Sequence, residues 1–323
     1  MTRNISDIDW LIEGPGRERL DLLTAESPDP SELVALTGRL RKEFSAAQTH
    51  LLLEQLRLRE RGLAKFADAR SLFFTDLGLQ QSTDSAVARY KADRFRQATA
   101  DAQDVSLLDL CCGIGGDLLA LAELGSPIVG VDRDRLTAAL AAANCLARGF
   151  DPPRVRVDEA DVTELFISPG CFWHLDPDRR PVGRRTTRVE LHEPSAAWVE
   201  SLIDRAPNGA LKLAPAAEVP AEWSDGAELE WIGRARQCRQ LVVWLGSLAR
   251  SPGQRAATVV TTPVNSTDPV EAVRIVGDSR RPERLTDSVG QYIFDPDPTV
   301  LAADLLGTLA DRHELSVVDR QSG

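Results

Sequence analysis

Of 323 residues only five are cysteine and four histidine, and Cys111, Cys112, Cys145, Cys171 and Cys238 include no C-x-x-C pair. An odd number without paired spacing excludes a disulfide framework, and four scattered histidines supply no set of ligands with zinc-site spacing, so no metal is expected. No stretch approaches the roughly 18 uninterrupted apolar residues of a membrane span. The start, Met1 to Trp10, places Asp7 and Asp9 where a signal peptide needs basic and apolar residues. Internal repeats and low-complexity tracts are also lacking, which excludes a solenoid. The expectation is a cytoplasmic globular protein with no membrane partner.

What is present is a chain 43% hydrophobic, long enough to bury a full core and to form two or three units. Its net charge of −11 argues against wholesale nucleic-acid binding and shifts attention to local clusters. The first hundred residues carry helical periodicity. Asp29-Pro30-Ser31-Glu32 offers an N-cap, a proline at the first helical position and a glutamate at the third, and Leu36, Leu40, Phe44, Ala47 and Leu51 follow at helical spacing. A single helix running through these positions is predicted. Arg57, Arg59, Glu60 and Arg61 then read as a solvated face, and a further helix is predicted from Ser82 to about Ala100, with Val87, Tyr90 and Phe95 on one side.

From Val105 short apolar runs alternate with helical stretches. Strands are predicted at Leu107–Leu110, Pro127–Val131, Arg154–Val157, Cys171–Leu175, Ala210–Leu213, Ala227–Ile232 and Ala256–Val260, the last two as an antiparallel edge. Helices are predicted at Asp117–Leu124, Asp134–Arg148, Pro194–Arg205 and Arg236–Leu248. Strands alternating with helices define an α/β, Rossmann-like sheet of seven strands, mostly parallel. After Val260 the sequence is loop-like, with a short strand expected at Tyr292-Ile293-Phe294 and a helix after Pro298. The division expected is residues 1–96 as an N-terminal helical domain, 97–262 as the α/β domain and 263–323 as a small C-terminal α+β appendage.

The first predicted strand ends in Asp109-Leu110-Cys111-Cys112-Gly113-Ile114-Gly115-Gly116. In an open parallel sheet ligands bind at the carboxyl ends of strands, and glycines in the first strand-to-helix turn let backbone approach them closely. The nicotinamide fingerprint needs Gly or Ala where Leu118 stands, so that cofactor is disfavoured. Asp132 follows the second strand, where a carboxylate can accept hydrogen bonds from ribose hydroxyls. Cys111 and Cys112 read as small residues beside a tight turn, with no nucleophilic role.

These residues resemble the class I methyltransferases that use S-adenosylmethionine. Asp109 to Gly116 looks like their first motif in the D-x-x-C-G-x-G form of RNA methyltransferases, including the trimethylguanosine synthases and the RNA guanine-N2 methyltransferase group. Val129-Gly130-Val131-Asp132 resembles the second motif and Glu159-Ala160-Asp161-Val162 the third. The resemblance implies S-adenosylmethionine as cofactor, bound by Asp109, Leu110, Cys111, Gly113, Gly115, Gly116, Asp132, Arg133, Asp161 and Val162. Over nearly the whole chain, from Leu40-Arg41-Lys42 to Tyr292-Ile293-Phe294-Asp295-Pro296-Asp297, there is also a resemblance to bacterial methyltransferases with a THUMP-like RNA-binding module, of which this chain stops short.

At the end of the fourth strand Asp176-Pro177 resembles the acceptor motif of enzymes that methylate exocyclic base amines, which implies catalytic roles for both residues. Asp178 and Arg179 stand where that motif has a second proline and a base-stacking aromatic. His174 reads as a core residue and not as a base. Arg179, Arg180, Arg184, Arg185 and Arg188 follow within ten residues, and guanidinium forks suit phosphate, so the first four are expected to bind substrate, with Lys212 adding to their rim. The expected activity is methylation of RNA, either tRNA or rRNA, at a guanine amine. Methylation of a small molecule or protein side chain, and a non-catalytic cofactor-binding module, stand as alternatives.

Overall fold

A computed structural model describes residues 5–102, 105–178, 187–279 and 281–318. Helices occupy Ile5–Ile12, Pro15–Glu26, Leu33–Glu43 and Ala46–Gly62. The single helix predicted from Asp29 through Leu51 is therefore two. Asp29 caps only a 3-10 turn at Pro30–Glu32, accepting the Ser31 N–H at 2.8 Å. The break falls at Ser45, whose extended backbone opens a capping box: its hydroxyl accepts the Gln48 N–H at 3.2 Å, and Gln48 Oε1 accepts the Ser45 N–H at 3.1 Å. Two backbone donors satisfied reciprocally make a local start signal stronger than continuity of the apolar stripe.

Among the described residues nine strands follow: β1 Leu107–Leu110, β2 Ile128–Asp132, β3 Val155–Glu159, β4 Phe172–Leu175, β5 Gly209–Leu213, β6 Glu228–Arg234, β7 Gln237–Trp244, β8 Arg255–Val260 and β9 Ala272–Gly277. They form one mixed sheet in the order β3-β2-β1-β4-β5-β7-β6-β8-β9. The seven predicted strands are all present. The predicted helix at Arg236–Leu248 is β7, antiparallel to both β5 and β6. Its run Leu241-Val242-Val243-Trp244 suits a buried strand, and Ala235-Arg236, both at positive φ (52° and 57°), turn the hairpin without the glycine or asparagine that would have signalled it. β9 is likewise a strand within the loop-like stretch, antiparallel to β8 at the edge of the sheet; Ile275 is buried and Val273 exposed. β6 and β8, read as an antiparallel edge, run parallel to one another, and β7 and β9 are the reversed strands. Tyr292-Ile293-Phe294 is exposed chain and not a strand.

Two compact units divide the chain. One comprises Met1–Ala88, Cys112–Asp161 and Val264–Ser266, and the other Arg89–Cys111, Val162–Pro263 and Thr267–Gly323. In the first, β2 and β3 pair in parallel from Ile128↔Val155 to Asp132↔Glu159, with helices Gly116–Ala122 and Arg135–Ala147. In the second, Tyr90 and Arg94 come from helix Ser85–Ala98 into a buried cluster with Glu228, Glu230 and Arg274. Glu230 accepts from the Tyr90 hydroxyl at 2.7 Å and from Trp244 Nε1 at 2.7 Å, and Arg94 Cζ stacks 4.4 Å from the Trp244 ring. Buried charges are tolerable only when paired and hydrogen-bonded in this way. The predicted face Val87, Tyr90 and Phe95 is buried, and Lys91 and Arg94 are buried with it. Among the described residues no helix is long and apolar enough to cross a membrane.

Candidate active site

In the first unit the chain leaves Cys112 through a turn that only glycine accommodates without strain at two points. Gly113 has φ 58° and Gly115 φ 90°, both in the left-handed region. Cys111, at φ 57°, shares that region. The turn closes with Gly115 N–H on Cys112 O at 3.0 Å, and the Cys112 N–H reaches Val131 O at 2.9 Å. A Cβ on Gly113 would meet nothing within 4 Å, so open space lies directly beside the backbone there. Gly130 is glycine for the opposite reason: a Cβ would fall 2.6 Å from Leu118 Cδ2 and 3.3 Å from Cys112 Sγ.

Asp132, half-buried at the end of β2, shapes the same turn. Its Oδ2 accepts the Gly113 N–H at 2.9 Å and its Oδ1 the Asp134 N–H at 3.0 Å. A carboxylate is an acceptor suited to hydroxyl donors. Arg133 is exposed beside it. After β3, Asp161 is exposed and Val162 buried. A glycine backbone bordered by open space, with a carboxylate anchored next to it, fits a ligand that brings ribose hydroxyls, and S-adenosylmethionine is such a ligand.

In the second unit Asp109 and His174 are register partners on the parallel strands β1 and β4. Asp109 is fully buried, and its Oδ1 lies 2.7 Å from His174 Nδ1; His174 Nε2 lies 3.0 Å from Lys91 Nζ. An ammonium only donates, so Nε2 must accept and Nδ1 must carry the proton that Asp109 receives. The histidine read as core thus bridges Lys91 and Asp109. Leu110 is buried, and its carbonyl accepts the Asp176 N–H at 3.2 Å.

Asp176 stands just past β4 with a side chain 27% exposed. Lys212 Nζ donates to its Oδ2 at 2.5 Å, and among the described residues its Oδ1 accepts from no protein group. Lys212 is 6% exposed and is paired with Asp176. Pro177 is buried. Asp178 and Glu193 exchange backbone hydrogen bonds at 2.8 and 3.1 Å. The four arginines expected to bind substrate, Arg179, Arg180, Arg184 and Arg185, lie outside the described residues. The described residues also hold no cluster of metal ligands, and none of the five cysteines is in a disulfide.

Sequence reasoning passed over Lys91 and Asn144. Asn144 lies in the apolar run Ala141-Ala142-Ala143-Asn144-Cys145-Leu146, where one amide on a buried face was a legible signal.

Residues 4–62 match the model of a domain of unknown function, DUF8688. Two curated Mycobacterium tuberculosis proteins, from strains CDC 1551 / Oshkosh and ATCC 25618 / H37Rv, are each described as an uncharacterized S-adenosylmethionine-dependent methyltransferase; each is 29% identical over 280 residues, 84% of this chain and 72% of its own. A 23S rRNA (uracil(1939)-C(5))-methyltransferase of Acidithiobacillus ferrooxidans is 30% identical over 107 residues, 33% of this chain and 19% of its own. A provisionally assigned methyltransferase of Porphyromonas gingivalis W83 superposes with a TM-score of 0.61 at 18% identity, covering 88% of this chain and 75% of that one, and shares the fold. The fold is that of a methyltransferase. The chain is an S-adenosylmethionine-dependent methyltransferase, and its cofactor is S-adenosylmethionine.

Proposed function

We propose that the chain transfers a methyl group to a nitrogen of an RNA base, a guanine exocyclic amine being the acceptor that best suits Asp176-Pro177. The observation that carries this reading is the state of Asp176: a carboxylate fixed through Oδ2 by Lys212, with Oδ1 left to accept from a substrate. The cofactor supplies a methyl group on a cationic sulfur. Asp176 accepts a hydrogen bond from the acceptor N–H, turns its lone pair into line and stabilises the positive charge that develops on nitrogen. Lys212 fixes the orientation of Asp176 through Oδ2, while Pro177 restrains the loop that follows. In this reading Gly113, Gly115 and Gly116 admit the cofactor and Asp132 with Arg133 takes the ribose. Asp161 with Val162 takes the adenine, while Asp109, Leu110 and Cys111 hold the strand end that leads into the turn.

RNA is favoured by the partial match to an rRNA methyltransferase and by the arginines from Arg179 to Arg188 in sequence. The net charge of −11 favours a small molecule or protein side chain as the second reading. Incubation with labelled S-adenosylmethionine and separated RNA, protein and metabolite fractions distinguishes them. Label in RNA, with affinity that falls steeply with salt and a slope flattened by about one unit for each phosphate contact removed in Arg184→Ala and Arg185→Ala, is the expected result. Label confined to protein or metabolites would refute it.

A further inference from the structure

The segment Leu72-Phe73-Phe74 runs extended through the first unit without belonging to any sheet, and all three residues are buried. Buried backbone groups require partners. Here side-chain amides supply them in the alternating manner of a strand. Gln55, from helix Ala46–Gly62, accepts the Phe74 N–H at 3.0 Å and donates to Phe74 O at 2.7 Å. Asn144, from helix Arg135–Ala147, accepts the Phe73 N–H at 2.7 Å and donates to Phe73 O at 3.1 Å. The Leu72 carbonyl accepts Arg59 Nε at 3.0 Å, and the guanidinium carbons of Arg17 and Arg59 each lie 5.3 Å from the Phe73 ring centroid.

Asn144 has one more donor to place, and it goes to Ile114 O at 3.0 Å. Ile114 is the residue between Gly113 and Gly115. The amide cannot be reversed, because the Phe73 N–H can only donate and the carbonyls of Phe73 and Ile114 can only accept. One helical turn earlier Ala141 packs against Gly115: a Cβ there would sit 3.7 Å from Ala141 Cβ. Asn144 is 1% exposed, too deep to touch a ligand.

We propose that Asn144 is a positioning residue for S-adenosylmethionine: by clamping the Ile114 carbonyl to the Phe73 backbone, it holds the glycine turn in its cofactor-accepting shape and ties that shape to the N-terminal helices. The inference rests on the reading of Gly113 to Gly116 as the cofactor turn. It assigns to residues 4–62 a task in cofactor binding, since Gln55, Arg59 and Arg17 anchor the segment that Asn144 grips.

The test uses the 323-residue chain and S-adenosylhomocysteine as the titrant, with Ser45→Ala as a variant that weakens a helix cap remote from the turn. Asn144→Asp keeps the size and the acceptor for Phe73 N–H but turns both donors into an anion facing two carbonyls. It should weaken cofactor affinity by about tenfold or more, the scale of one to two lost hydrogen bonds, while Ser45→Ala leaves affinity within about twofold. Hydrogen exchange of the unaltered protein gives the second readout: cofactor should slow exchange at the amides of Phe73 and Phe74 as well as across Gly113–Gly116. That arm decides the matter if Asn144→Asp does not fold. Unchanged affinity in a folded Asn144→Asp, or protection confined to the glycine turn, would overturn the proposal while leaving the cofactor reading intact. Absence of binding by the unaltered protein would overturn both.

Discussion

Lys212 on β5 donates to Asp176 at the end of β4, with Nζ 2.5 Å from Oδ2, and its ammonium is buried whereas the carboxylate reaches solvent. The pairing holds one oxygen, and among the described residues the other accepts from no protein group. Asp176→Ala should therefore lower single-turnover methyl transfer by about a hundredfold or more while cofactor affinity stays within a few-fold, the pattern of an interaction made in the transition state. Lys212→Met should also slow transfer, by about tenfold, because Asp176 loses the group that fixes it. Equal rates in parent and Asp176→Ala would remove the residue from the chemistry.

Stability should depend on pH through Glu228. Burial alone would push its carboxyl up, but the hydrogen bond and charge of Arg94, the Ser251 N–H and the charge of Arg274 outweigh burial and hold it below the ordinary glutamate value. A carboxyl whose pKa is depressed on folding adds stability above the unfolded-state value, about 4.3, and loses it as pH falls through the folded-state value. Glu228→Gln should cost about 3 kcal/mol in urea unfolding at pH 7, since it leaves Arg94 and Arg274 short of a buried counter-charge. The difference from the parent should narrow below about pH 4. A difference independent of pH would show that the cluster holds through packing alone.

The helix break at Ser45 is a local device with a local cost. Ser45→Ala removes the acceptor of the Gln48 N–H and should lower stability by about 1 kcal/mol, read as a shift in the urea midpoint with an unchanged slope. Gln48→Ala combined with it should cost less than the sum of the two, because the capping box is reciprocal.

The parallel half of the sheet and the helices Gly116–Ala122, Arg135–Ala147 and Ala196–Arg205 were legible because apolar runs, glycine turns and caps agreed locally. β7 was not, since Ala235-Arg236 turns the hairpin with residues that seldom adopt positive φ, and its run Leu241–Trp244 is as apolar as a buried helix. At the candidate site, Gly113, Gly115, Asp132 and Asp176 could be singled out by type and position. What position could not disclose was pairing: Lys212 with Asp176, His174 between Asp109 and Lys91, and Asn144 between Phe73 and Ile114 each depend on residues far apart in sequence.

Calorimetric titration of the 323-residue chain with S-adenosylmethionine tests most directly whether the glycine turn and Asp132 form the cofactor site. The unaltered chain should bind S-adenosylmethionine and its demethylated product and should not bind NAD. Asp132→Ala should weaken binding by roughly 10–150-fold, equivalent to about 1.5–3 kcal/mol for lost charged hydrogen bonds. Binding of S-adenosylmethionine that is indifferent to Asp132→Ala, or its absence in the unaltered protein, would contradict the account.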